Sequence, residues 1–189
     1  MPDVDLDFAN RDEVLSIIPH IPAMINGNKK HNTGVYCHEI PVNPLTGLSA
    51  IEYNEAEERG YFKIDFLNVN VYKDIQNEAH LQKLMEQEPL WDLLKQDDFV
   101  NLLFHLNGHG DILKKTCPTS VEQLAAVLAM IRPAKRHLIG KDWSTIMSEV
   151  WTKPLTDEYY WKKSHAFSYA MVVIVHMNLL CHQFSESSC

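Results

Sequence analysis

The sequence predicts an α+β chain in which a small mixed β-sheet from residues 1–70 is followed by a helical part over residues 71–189 that packs as one unit. Three observations carry this prediction. Asp3 to Phe8 alternates acidic with apolar residues, and Phe62, Ile64 and Phe66 alternate with Tyr61, Lys63, Asp65 and Leu67. From Tyr72 onward the apolar residues instead recur at helical spacing. With 189 residues, 46% of them hydrophobic, the chain suits one domain or a domain with an appendage. A net charge of −8 disfavours bare nucleic acid, whose binding rests on Lys and Arg neutralising phosphates, so a nucleic-acid partner would need a local basic patch.

The four cysteines, Cys37, Cys117, Cys181 and Cys189, form no CxxC pair and read as free thiols of a reducing cytoplasm. No signal peptide opens the chain. The longest apolar run, Ala166 to Cys181, is short for a membrane span and contains His176, so it reads as a buried helix and no membrane partner is expected.

Taken in order, the first strand covers residues 2–8. Asp3, Asp5 and Asp7 share one of its faces, Val4, Leu6 and Phe8 the other. Asn10 can cap a helix of about two turns, ended by Pro19 and Pro22, with Val14, Ile17, Ile18 and Ile21 on one stripe. The Asn26-Gly27-Asn28 turn leads through Lys29, Lys30, His31, Asn32, Thr33 and Gly34 into a strand over residues 34–42. The basic cluster there is either a solvated turn or a phosphate-binding loop, with Lys30 supplying charge and Gly34 admitting close backbone approach. Residues 52–59 read as an acidic connection before the strand at 60–67.

Helical stretches are expected over 72–86, 90–94, 99–106 and 143–151, and from Ser164 to about His182. One more, capped by Thr119 or Ser120, turns Val121, Leu124, Ala125, Leu128 and Ile131 inward. Tyr159, Tyr160 and Trp161 among Lys162 and Lys163 can stack bases or equally pin a loop. His105 and His109 have the spacing of helical zinc ligands, but Gly108 and Gly110 interrupt the helix and set that reading aside. His176 reads as a satisfied core residue.

A row of carboxylates on one strand face is either a solvated edge or a site for a hard divalent cation that relieves their repulsion. If the strand at 60–67 pairs beside the first, Asp65 joins the row. Three carboxylates on neighbouring strands are what two-metal phosphoryl transfer requires.

Pro-Asp-x-Asp-x-Asp-Phe at residues 2–8, followed by Arg11-Asp12-x-Val14 and by Lys63-x-Asp65-Phe66-Leu67, resembles the palm of the bacterial C-family replicative DNA polymerases, the polymerase III alpha subunit. Further segments resemble that family in the same order. Lys30-His31-Asn32-Thr33-Gly34-Val35 is similar to its Lys-His-Ala-Gly-Gly-Val loop, with Thr33 where a glycine is usual. Phe104 to Gly110 is similar to its Phe-Gln-Leu-Glu-Ser-x-Gly segment, and Pro118 to Pro133 to its helix ending in Arg-Pro-Gly-Pro, with Ala134 in place of glycine. Lys163-Ser164-His165 through Ala170 is similar to Lys-Ser-His-Ser-x-x-Tyr-Ala.

The resemblance implies a nucleotidyltransferase-type palm in which Asp3, Asp5 and Asp65 are the catalytic aspartates and hold two Mg²⁺ ions, with Mn²⁺ as a substitute and Asp7 a neighbouring acid. It implies contacts from Lys30, His31, Gly34, Lys63, Arg132, Lys163 and His165 to the nucleotide or to phosphate. The expected partners are a DNA primer-template and dNTP. Two family elements are missing: Met1 stands where a Gly-Ser-rich phosphate motif would precede the aspartates, and the roughly thirty residues between Arg132-Pro133 and Lys163 hold no Arg-Arg-x-x-Gly-Lys-Lys stretch. The expectation is therefore a miniature DNA polymerase or a subunit of one, with a protein partner supplying the missing fingers or phosphate-binding elements. The alternative is a catalytically idle palm relative that serves as a binding or assembly module, for instance modulating a host polymerase. Its compact size suggests a phage-encoded protein acting in the bacterial host cytoplasm.

Overall fold

The structure, a computed structural model, describes residues 4–155 and 158–186. It is mixed α+β, and the chain divides between Lys73 and Asp74 into two compact units. The first contains strands β1 (Val4–Phe8), β2 (Ile21–Ile25), β3 (Lys29–Tyr36) and β4 (Ile64–Asn68), with helices α1 (Arg11–Ile17) and α2 (Tyr53–Glu58). The four strands form one mixed sheet in the order β1-β4-β3-β2. β1 runs parallel to β4, and the other two pairings are antiparallel.

Strand β2 differs from the sequence expectation, which had Ile21 closing the helical stripe. Pro22 lies inside β2, and the strand's position at the sheet edge explains why a residue without an N–H is tolerated. Asn28 and Gly27 both take positive φ in the hairpin turn, as that turn demands. β3 starts at Lys29 and ends at Tyr36 rather than running over 34–42, so Lys30 and His31 belong to the strand. Residues 52–59 are not merely a connection: they contain α2, supported by the Glu55–Arg59 ion pair one turn apart and by Gly60 at φ +88° just past its end. That cap takes up the first residues of the expected 60–67 strand and leaves β4 to begin at Ile64. The core of this unit gathers Ala23, Tyr36, Ile40, Ile51 and Ala56. On β1 the apolar face is only partly covered: Phe8 packs on Phe66 with ring centroids 5.0 Å apart, while Leu6 remains exposed.

The second unit is helical throughout its described residues. Its elements are α3 (Glu78–Glu86), α4 (Asp97–Val100), α5 (Gly110–Thr116), α6 (Val121–Met130), α7 (Trp143–Glu149) and α8 (Lys163–Glu186), joined by short 3₁₀ turns. Ser120 caps α6 by accepting the N–H of Gln123 at 3.2 Å, and the Gln123 side chain accepts the Thr119 N–H in return. Every residue from Leu124 to Met130 is fully buried, a wider buried surface than the single inward stripe expected. α8 packs along α6 and α3, and its Ala166, Ala170, Val173 and Met177 are fully buried. By length and composition this helix could cross a membrane, but more than half of its apolar stretch is buried within the protein.

Two polar side chains of α8 are paired in this core. Asn178 donates to the carbonyls of Leu84 and Gln87 at the end of α3, and His176 Nδ1 accepts the Phe104 N–H at 3.2 Å. Helix α5 was not expected, because Gly108 and Gly110 read as breakers. Gly108 instead makes the turn before the helix at φ +77°, and Gly110 opens it where a Cβ would meet Asp97 Oδ1 at 2.3 Å.

Candidate functional site

The two-fold alternation of β1 and β4 fixes which residues share a face, and the parallel register then sets Asp5 directly opposite Asp65. On the other side of β4, Gly34 is the register partner of Asp65. A row Asp5, Asp65, Gly34 thus crosses three strands. Asp3 lies outside the described residues, and the described residues hold no group of three His, Cys, Asp or Glu that could hold a metal.

The carboxylate of Asp65 is only 15% exposed and is held by both oxygens. Thr33 Oγ1 donates to Oδ1 at 2.6 Å, and the Lys63 ammonium pairs with Oδ2. Thr33 reaches Asp65 because β3 bulges. Pairing steps from Met24 to Pro22 on β2 while covering Lys30 to Val35 on β3, two positions against five. The ring of His31 pins this bulge from within, since its Nδ1 accepts the N–H groups of Gly34 at 2.8 Å and Thr33 at 3.2 Å.

An imidazole nitrogen that accepts two N–H groups carries no proton, so His31 is neutral with its hydrogen on Nε2. Burial lowers its pKa first, Lys63 adds to this, Asp65 opposes it, and Arg11 lowers it further. The 3.8 Å separation of His31 Nδ1 and Asp65 Oδ1 is therefore a contact between two acceptors rather than an ion pair. Gly34 was expected to admit a ligand backbone. In the structure the space above it is filled by the protein itself: a Cβ there would meet Lys63 Cδ at 2.6 Å and His31 Nδ1 at 3.0 Å. Lys30 is exposed on β3 ahead of the bulge.

Two residues of this site had no assigned role at the level of sequence. Thr33 counted only as a departure from a glycine pattern, yet its hydroxyl orients Asp65. Arg11 donates from Nη1 to the carbonyls of Asn32 at 2.5 Å and Phe66 at 3.2 Å, and its backbone N–H donates to Asn68 Oδ1, so it ties the bulge to β4. Its place three residues after the strand was the available signal.

Arg132, Lys163 and His165 belong to the second unit. The Arg132 guanidinium lies 3.8 Å from the Trp161 ring centroid, and its Nε is buried with no hydrogen-bond partner. Burial lowers its pKa, with Tyr159 and Tyr169 pulling the other way. His165 packs edge-on against Trp161 and Tyr169, and His105 joins the same ring cluster. Trp161 is buried, so the aromatic loop is pinned through it. Lys163 instead pairs with Glu122 on α6 at 3.5 Å and lies over the rings of Trp151 and Phe167. Arg132 and His165 are therefore brought together, and Lys163 is directed elsewhere.

His105 adopts φ +60°, a left-handed conformation uncommon for a non-glycine residue, and its pKa is pushed down to about 4 by burial, then by Arg132 and His165. Burial also lowers His109 and His176. A histidine whose folded pKa lies below its unfolded value near 6.5 gives stability that is complete above that value and is lost as pH falls toward the folded one. Acidification from pH 7 to 4 is therefore expected to lower the melting temperature of the second unit. For His105 alone, with a solvent-facing edge that screens the shift, the loss is about 1 kcal/mol or about 5 °C. All four tryptophans (Trp91, Trp143, Trp151 and Trp161) lie in this unit, so their fluorescence reads its unfolding selectively. His105→Asn, which tolerates the same backbone, is expected to flatten that part of the profile.

A scan against protein-family models, a search of characterised proteins and a search of solved structures found no match to the chain.

Proposed function

We propose that the first unit is a reduced palm of a two-metal nucleotidyltransferase, a DNA polymerase or a subunit of one. The observation that supports this most is the register of Asp5 opposite Asp65 on adjacent parallel strands, about 4.8 Å apart at the backbone. Two carboxylates side by side on one face are hard oxygen donors suited to Mg²⁺ or Mn²⁺, and Asp3 is this reading's third ligand. Bound divalent cations would neutralise charge on a transferred phosphoryl group and make a primer 3′-OH a better nucleophile.

The remaining work falls to the protein's own side chains. Thr33 orients Asp65, His31 holds the bulge that carries Thr33, and Arg11 fixes that bulge to β4. Lys30, exposed on β3, and Lys63, once released from Asp65, are this reading's contacts to a triphosphate in this unit. Arg132, with an unsatisfied donor and no carboxylate partner among the described residues, is the strongest anion-binding group of the second unit; His165 stands beside it, and Lys163 is committed to Glu122. The reading requires a primer-template and dNTP.

One observation favours the second reading, a catalytically idle binding module: both oxygens of Asp65 are already engaged by Thr33 and Lys63. Primer extension with Mg²⁺ or Mn²⁺ separates the two. Metal-dependent incorporation by the wild type that is lost in Asp5→Asn supports the enzyme. No incorporation, alone or with co-purifying partners, leaves the idle module.

A further inference from the structure

We propose that Lys63 is a built-in competitor for the divalent cation at Asp65, a tethered ammonium that keeps metal affinity low until it is displaced. The proposal rests on the metal-binding reading of Asp65 and adds a control to that site. Three observations converge on it. The Lys63 ammonium sits on Asp65 Oδ2, while Oδ1 accepts from the Thr33 hydroxyl, so an incoming cation meets a carboxylate whose charge is already countered by a like-charged group at Oδ2. Thr33 is held in a bulge pinned by His31; Lys63 is a flexible chain just before β4. The lysine is therefore the partner that can leave.

The contact is also enclosed rather than washed by solvent, with side-chain exposures of 18% for Lys63 and 15% for Asp65. An enclosed pair of this kind is screened less than a surface ion pair and competes more effectively. Finally, the path of the lysine is carved into the sheet. Its stem crosses Gly34, where a Cβ would come within 2.6 Å of Cδ, so the lysine lies in space that a side chain at residue 34 would make it leave. A lysine serving only as a solvated cation needs no such hollow.

Displacement breaks no covalent bond. The cation takes the Oδ2 position, and the released ammonium is left on the same face, free to bind a phosphate oxygen. By linkage, an anion that holds Lys63 away from Asp65 raises metal affinity, and metal raises affinity for the anion by the same factor.

The test is Mn²⁺ binding to the full chain, followed by electron paramagnetic resonance of the free ion, with folding monitored by circular dichroism. Lys63→Met and Lys63→Gln are expected to bind Mn²⁺ at least about tenfold more tightly than wild type, since each removes the competing charge and keeps the stem. The gain is expected to disappear in the double variant with Asp65→Asn. Lys73→Met, which removes an equal charge from an exposed position of the first unit, is expected to change affinity less than about twofold. Asp65-dependent binding that is equal in wild type and both Lys63 variants overturns the competitor and leaves the metal site standing. A gain in Lys73→Met as large as in Lys63→Met assigns the effect to the general field and also overturns it. No Asp65-dependent binding in any variant overturns the competitor and the metal reading together.

Discussion

Under the proposed two-metal function, Asp65→Asn is expected to lower nucleotide incorporation at least about 100-fold while moving the melting temperature by only a few degrees. The separation of the two effects follows from what the carboxylate does. Asn keeps an oxygen that accepts the Thr33 hydroxyl, and an amide fills nearly the same volume, so the bulge of β3 retains its anchor. What is lost is one negative charge. Its removal leaves Lys63 without its ion pair, a stability cost of about 1 kcal/mol for a part-enclosed pair. For the proposed metal-dependent reaction the same charge matters far more, because a neutral amide is a weaker ligand for a hard cation than a carboxylate. Steady-state primer extension beside thermal unfolding by circular dichroism checks both halves. Incorporation in the variant within a few-fold of wild type would rule out Asp65 as a metal ligand.

Leu128→Ala is expected to destabilise the second unit by about 3 kcal/mol and lower its melting temperature by about 10 °C. Leu128 is fully buried in α6, and its neighbours from Leu124 to Met130 are buried as well. Such a helix has no solvent-facing side toward which the structure can relax, so most of the cavity persists. Tryptophan fluorescence in a thermal or urea titration reads the loss, and a shift under 3 °C would show that this helix is less enclosed than its burial indicates.

How much of this was legible in the sequence depends on the kind of information each feature needs. The alternation in Val4–Phe8 is local and two-fold, and Ile64 and Phe66 alternate with Asp65 and Leu67, so both strands and their faces were readable. Ser120 and the apolar spacing after it marked α6 in the same way. Strand β2 was hidden because Pro22 is a penalty in most strands and only the sheet order reveals that this one lies at an edge. α2 and α5 were hidden because their glycines act at helix ends, which looks the same in sequence as a break in the middle. The site divides along the same line. The acids could be named, and their possible meeting stated as a condition on strand pairing. The bulge that brings Thr33 to Asp65, and the hollow over Gly34 that Lys63 occupies, are matters of register and volume, which no spacing of residue types encodes.

The strand order β1-β4-β3-β2 also has a consequence for how the carboxylates come together in time. β2 and β3 join through a three-residue turn, a closure that costs little chain entropy. Asp5 and Asp65 are separated by sixty positions, and β1 has a neighbour on one side only. Their pairing closes the longest loop of the sheet and docks onto a strand that β3 has already steadied. The first unit can therefore possess its hairpin and much of its core before it possesses the acidic pair. Local opening at the β1 edge takes the pair apart without unfolding what lies behind it, so the candidate site lies on a seam that can part by itself.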